Sequence, residues 1–125
     1  MIVKSMSRKE PSFGQLVGYI ERGASGTAWR IRHNLLARNL GGIRDEFAQN
    51  GDLLQRRKNG VYLYHEIISI TRAQGVSLER QKTALREIAE RYIEERCQDN
   101  QVFGNLHEDQ EHSLHYHLII SANPA

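Results

Sequence analysis

What this chain has little of closes off several classes of protein. Its 125 residues include one cysteine, Cys97, so it can make neither an internal disulfide nor a thiolate zinc knuckle, and any metal must be held by imidazole and carboxylate. Cys97 itself reads as a packing residue at a helix end. No apolar run approaches the roughly 18 residues needed to cross a bilayer, and Met1 to Glu10 lacks the apolar stretch of a signal peptide. The expectation is a soluble, cytoplasmic protein with no membrane partner, folded as one domain over residues 1–125. There is no internal repeat and no low-complexity tract.

A small net charge, +2, hides a strong asymmetry. Residues 1–60 carry 11 Lys and Arg against 5 Asp and Glu, a net of +6, and the remainder carries −4. The basic half is therefore the better polyanion surface. Arg30, Arg32, His33, Arg38 and Arg44 form one basic group and Arg56, Arg57 and Lys58 another, although such residues are often no more than a solvated face.

Hydrophobic periodicity organises the rest. Ser12 followed by Gln15 resembles a capping box opening a helix with Phe13, Leu16 and Ile20 on one side, and Gly23 can end it. Ile43, Phe47 and Leu54 mark a second helix over much of Leu40 to Arg57. Val61 to Thr71 is dense in β-branched and aromatic residues and reads as a central strand. It puts Leu63, His65 and Ile67 on one face and Tyr64, Glu66 and Ile68 on the other. Ser77 caps the clearest helix, whose stripe is Leu78, Leu85, Ile88, Ala89, Tyr92 and Ile93. Gln101 to His107 and Leu114 to Ser121 form an antiparallel hairpin around the polar loop Glu108 to Ser113. The fold class is α+β, a central antiparallel sheet with flanking helices.

Four of the six histidines fall within eleven residues, in LHEDQEHSLHYHLII. Residues two apart on a strand share a face, so His115 and His117 project together while Leu114, Tyr116, Leu118 and Ile120 face the opposite layer. The hairpin returns His107 beside them. Three imidazoles from adjacent strands give three ligands with open positions, the layout of a catalytic metal site. The plainer alternative is a pair of polar residues on a solvated sheet face. His112 belongs to the loop, and His65 is either near the site or an ordinary sheet histidine. Glu108 or Asp109 is placed to orient a bound imidazole or to take a proton from a nucleophile.

These features resemble the HUH endonuclease superfamily, here His115, Tyr116 and His117, and within it the relaxases of plasmid mobilisation and conjugation. Three stretches carry the likeness in the family's order: LVGYIERG, YHEIISIT with its helix, and the LHED and LHYHLIIS segments. The resemblance implies His107, His115 and His117 as ligands of a divalent metal, Mg²⁺ or Mn²⁺ in the cell, with other ions able to co-purify. It implies Tyr19 as nucleophile, forming a 5′-phosphotyrosine, with Glu108 or Asp109 as the acid. Related replication initiators carry the tyrosine after the HUH strand; here none follows His117.

The implied substrate is single-stranded DNA at an origin-of-transfer-like site in a bacterial cytoplasm, with accessory relaxosome proteins as further partners and the chain as the N-terminal catalytic part of a longer protein. Arg22, Arg30, Arg32 and Arg38 are the candidate backbone contacts, and Trp29 or Phe13 the candidate base stackers, Trp29 being equally readable as a core anchor. Competing functions are a non-cleaving metal- and DNA-binding module, or a phosphodiesterase that uses activated water.

Overall fold

The computed structural model describes residues 1–53 and 60–125, the side chain of Leu53 excepted. The basic group Arg56, Arg57 and Lys58, and Leu54 of the expected second helix, lie outside the described residues. In chain order the elements are β1 (Ile2–Arg8), α1 (Phe13–Arg22), a short 3-10 turn (Thr27–Trp29), β2 (Ile31–His33), α2 (Leu40–Leu53), β3 (Leu63–Thr71), α3 (Leu78–Cys97), β4 (Asn100–His107) and β5 (Ser113–Pro124). The strands form one antiparallel sheet in the order β1-β3-β5-β4-β2, and the α+β expectation holds.

Alternation along the strands gives the sheet two apolar faces, each closed by helices. Even-numbered residues of β5 (Leu114, Tyr116, Leu118 and Ile120) pack with Leu85, Ala89, Ile93 and Cys97 of α3. On the opposite face, Leu63, Phe103 and Ile119 meet Phe13, Leu16, Val17 and Ile20 of α1 and Ile43 and Phe47 of α2. Cys97 ends α3 inside the first of these cores, as a packing residue.

Local capping is met in part. Ser77 caps α3, its hydroxyl accepting from the Arg80 N–H at 3.2 Å. Asn39 does the same for α2, accepting from the Gly42 N–H at 2.7 Å. Helix α1 begins at Ser12 as expected, but without the capping box. Ser12 has φ −89° and ψ 33°, outside the extended region from which a side chain reaches the helix end, and its hydroxyl is buried without a partner. Two strands gave no sequence signal strong enough to read. β1 is exposed on almost every residue, and β2 is three residues long.

Gly104 on β4 is a spatial requirement. A Cβ there would lie 2.6 Å from Leu118 Cδ2 and 2.8 Å from the backbone oxygen of His117. Since the backbone contact cannot rotate away, Gly104→Ala should cost about 1–3 kcal/mol of stability. Denaturant titration measures it, and an unchanged midpoint would refute this close-packed view of the β4–β5 pair.

Candidate active site

Register brings four histidines to one face of the sheet. β4 and β5 pair His107 with His115 and Asn105 with His117, while β3 sets His65 opposite Ile119 and Ile67 opposite His117. The His107 and His117 rings are 4.2 Å apart between centroids, His65 and His117 5.1 Å, and His115 and His117 6.2 Å. His65, which the sequence left undecided, therefore stands in the cluster, its Nε2 2.9 Å from Nδ1 of His117. His112 is exposed in the hairpin loop.

Burial sets the charge state of this cluster. Desolvation, reinforced by the neighbouring His107, His65 and His115, lowers the His117 pKa to about 3. Desolvation, then the charge of Arg8 and the neighbouring His107, lower that of His65 to about 4. His115 is also lowered by burial, against a pull upward from Asp109. At neutral pH these three imidazoles are uncharged, the form that binds a metal or accepts a proton.

The donor set suits a divalent ion in kind: three imidazoles on one face, with the Asp109 carboxylate beside His115. Two of them follow the usual pattern of metal-bound histidine, with one ring nitrogen held by a neighbour and the other left over. Nδ1 of His117 is taken by His65, and Nε2 of His115 meets Ser113 Oγ at 3.0 Å. His107 instead donates Nε2–H to the Ile20 carbonyl at 2.6 Å, with Nδ1 turned to Gly23. As the side chains stand, no group of three His, Cys, Asp or Glu among the described residues converges tightly enough to hold an ion.

Helix α1 delivers Tyr19 to the cluster. Phe13, Leu16, Val17 and Ile20 are buried in the core, which turns the intervening Tyr19 to the helix flank, where it is 50% exposed. A core aromatic would be buried, so that reading of Tyr19 falls. Its ring stands edge-on to both His65 and His117 at 6.2 Å. The end of α1 is joined to the end of β4 by a bridge from Ala24 to His107 and by the Ser25 N–H donating to the Leu106 carbonyl at 2.9 Å.

The two candidate acids part company. Asp109 is exposed beside His115, whereas Glu108 is bound by Lys82 of α3 at 2.6 Å, a pairing that lowers its pKa. The basic candidates divide as well. Arg22 and Arg38 are exposed, and Arg32 is exposed with its guanidinium on the Ala37 carbonyl. Arg30 is held bidentate by Glu21 at 2.9 and 3.0 Å. Neither proposed stacker is free. Phe13 is buried and lies parallel to Phe47 at 5.0 Å, and Trp29 packs on the α3-side core under the Lys82 ammonium.

A family model described as Relaxase: MobA/VirD2-like, nuclease domain, matches residues 19–123. Searches of curated proteins and of solved structures return no match.

Gly23 ends α1 as its C-cap, as expected, but with a φ of −104° that is open to any residue. Space is what it supplies: a Cβ would stand 2.9 Å from Cε1 and Nδ1 of His107. Gly23→Ala should leave the fold intact and displace that imidazole. The His107 side-chain resonances should move in a long-range ¹H–¹⁵N spectrum while those of exposed His112 stay put. Unmoved His107 signals would show that the contact is not tight.

Proposed function

The chain belongs to the MobA/VirD2-like relaxase nuclease-domain family, and on that premise we propose that it nicks single-stranded DNA with the Tyr19 hydroxyl as nucleophile. The observation that carries the reading is the half-exposed phenol standing edge-on to His65 and His117. In the cell the substrate is an origin-of-transfer-like site used in plasmid or mobile-element transfer.

The Tyr19 oxygen attacks phosphorus in line, and the bond from phosphorus to the 3′ oxygen breaks. A 5′-phosphotyrosine and a 3′ oxygen remain, the latter protonated to a hydroxyl. A free phenol ionises near pH 10, so at neutral pH each unit by which its pKa exceeds the medium costs about 1.4 kcal/mol. The phenolic proton passes to solvent as the bond to phosphorus forms, and Asp109 orients His115. Glu108, bound to Lys82, takes no part in proton transfer on this reading. His107, His115 and His117 would hold a divalent ion, Mg²⁺ or Mn²⁺, once the His107 ring turns from the Ile20 carbonyl. Such an ion, when bound, supplies charge withdrawal from a non-bridging phosphate oxygen. Because the phosphotyrosine keeps a phosphodiester linkage, the 3′-hydroxyl can attack it in reverse and rejoin the strand.

Two expectations follow from this assignment. Added Mn²⁺ should raise the melting temperature of the protein, since an ion that binds only the native state stabilises it, and the shift should vanish in His115→Ala/His117→Ala. An equal shift in both proteins would place the ion elsewhere.

Tyr19→Phe removes one oxygen and keeps the ring, so the melting temperature and single-stranded DNA affinity should hold within about twofold while the covalent adduct disappears. The assay incubates the protein with labelled single-stranded oligonucleotides and Mn²⁺, followed by a denaturing gel and peptide mapping. An adduct on another tyrosine would overturn the choice of Tyr19. Cleavage without any adduct would point to activated water, and binding without cleavage to a non-nicking module.

A further inference from the structure

Beside Tyr19, on the side away from His107, lies an open hollow of about 460 Å³ lined by Arg8, Gln15, Leu16, Tyr19, Arg22 and His65. No acid lines it. Its two guanidiniums arrive from different elements, Arg22 from the last turn of α1 and Arg8 from the end of edge strand β1. Among the described residues, neither side chain has an ion pair or a hydrogen bond. Four other arginines are held by carboxylates: Arg30 by Glu21, Arg86 by Glu90, Arg91 by Glu95 and Arg96 by Glu66. Two unpaired cations flanking an exposed phenol, with an amide one turn away on α1, suit one ligand chemistry. A phosphodiester can lie between the guanidiniums, and a planar base can lie on the Tyr19 ring, with the Gln15 amide at its edge.

We propose that this hollow is a nucleotide subsite, in which Arg8 and Arg22 grip the phosphate next to the scissile one and the adjoining unpaired base rests on the exposed Tyr19 ring. The inference rests on the nicking assignment for its place along the strand, but its binding test does not require nicking. It draws β1 into DNA recognition, and it explains why an edge strand otherwise exposed along its length ends in an arginine turned to the site face, opposite Leu63. A base can enter only when unpaired, so the subsite favours single-stranded over duplex DNA.

The test uses the whole chain and fluorescence anisotropy with a labelled mixed-sequence 12-mer, single-stranded or as a duplex, over a range of salt. Arg8→Ala should weaken single-stranded binding about five- to tenfold at low salt and flatten the log–log salt slope by about 0.7, the value for one phosphate contact. Arg8→Lys should recover most of the slope. Arg91→Ala, which removes a charge from the far surface of α3, should do neither. A slope unchanged in Arg8→Ala, or changed no more than in Arg91→Ala, would overturn the subsite, as would an equal loss on single strand and duplex. Should wild-type protein form an adduct while Arg8→Ala binds and cleaves normally, the subsite alone fails. Should no adduct form while the single-strand-specific loss is seen, the nicking assignment fails and the subsite stands.

Discussion

The register of α1 on the sheet is the constraint on which the rest of the site depends. A ten-residue helix is too short to be stable alone, so α1 exists because Phe13, Leu16, Val17 and Ile20 are buried against Leu63, Phe103 and Ile119. Its end is pinned separately. The Ile20 carbonyl accepts from His107, Glu21 accepts from Asn105 at 3.1 Å and from Arg30, and Ala24 bridges to His107. Each of these contacts fixes the rotation of the helix about its axis, and that rotation alone decides whether Tyr19 looks at the imidazoles or into solvent. A rotation of about 100°, one residue's worth, would turn the phenol into the core and Val17 out of it.

The two faces of the sheet carry different burdens. The α3 face is mainly dry, and its buried carboxylate, Glu66, is paired. Glu66 is 1% exposed and is met by the Ser5 hydroxyl at 2.5 Å, by Arg96 at 3.2 Å and by the Tyr92 hydroxyl. Removing one partner from so buried a carboxylate leaves an uncompensated charge, at a typical cost of 3–5 kcal/mol. That network ties edge strand β1 through β3 to α3, and so locates Arg8 as well. At the other end of the sheet, Lys82 reaches from α3 to Glu108, and Arg72 donates to the Glu108 carbonyl. The hairpin that bears the histidines is thereby held from behind, and Asp109 is the acid whose charge acts on His115.

Much of this was legible in the sequence because it depends on period. Alternation in LHYHLII separates His115 and His117 from Tyr116, and the 3.6-residue stripe of α1 is written in Phe13, Leu16 and Ile20. Signals that depend on tertiary pairing were not legible. Strand β1 has no alternation of burial to betray it, and β2 gains its hydrogen bonds only from β4. The charge of Arg30 looks free until Glu21 is brought beside it. Gly23 ends α1 as its place in the sequence predicts, and only the position of His107 shows that it also leaves room. Phe13 could be taken for an exposed aromatic until α2 supplies Phe47. In each case the missing information is the partner.

The same partners bear on which phenol can act. Tyr116 is buried on the α3 face with its hydroxyl on the Trp29 carbonyl, and burial pushes its pKa up. Tyr92 is pushed up to about 12, by burial first and then by its bond to Glu66. Tyr64 lies on that face too, beneath the Arg96 guanidinium at 5.2 Å, and Tyr62 packs against the α1/α2 core. A nucleophile must reach a phosphate on the histidine face and must be able to lose its proton there. Burial denies both to Tyr116, the hydrogen bond to a carboxylate denies both to Tyr92, and position denies the first to Tyr64. Tyr19 is the phenol that packing turns outward and holds edge-on to two uncharged imidazoles, which supports its proposed role as nucleophile.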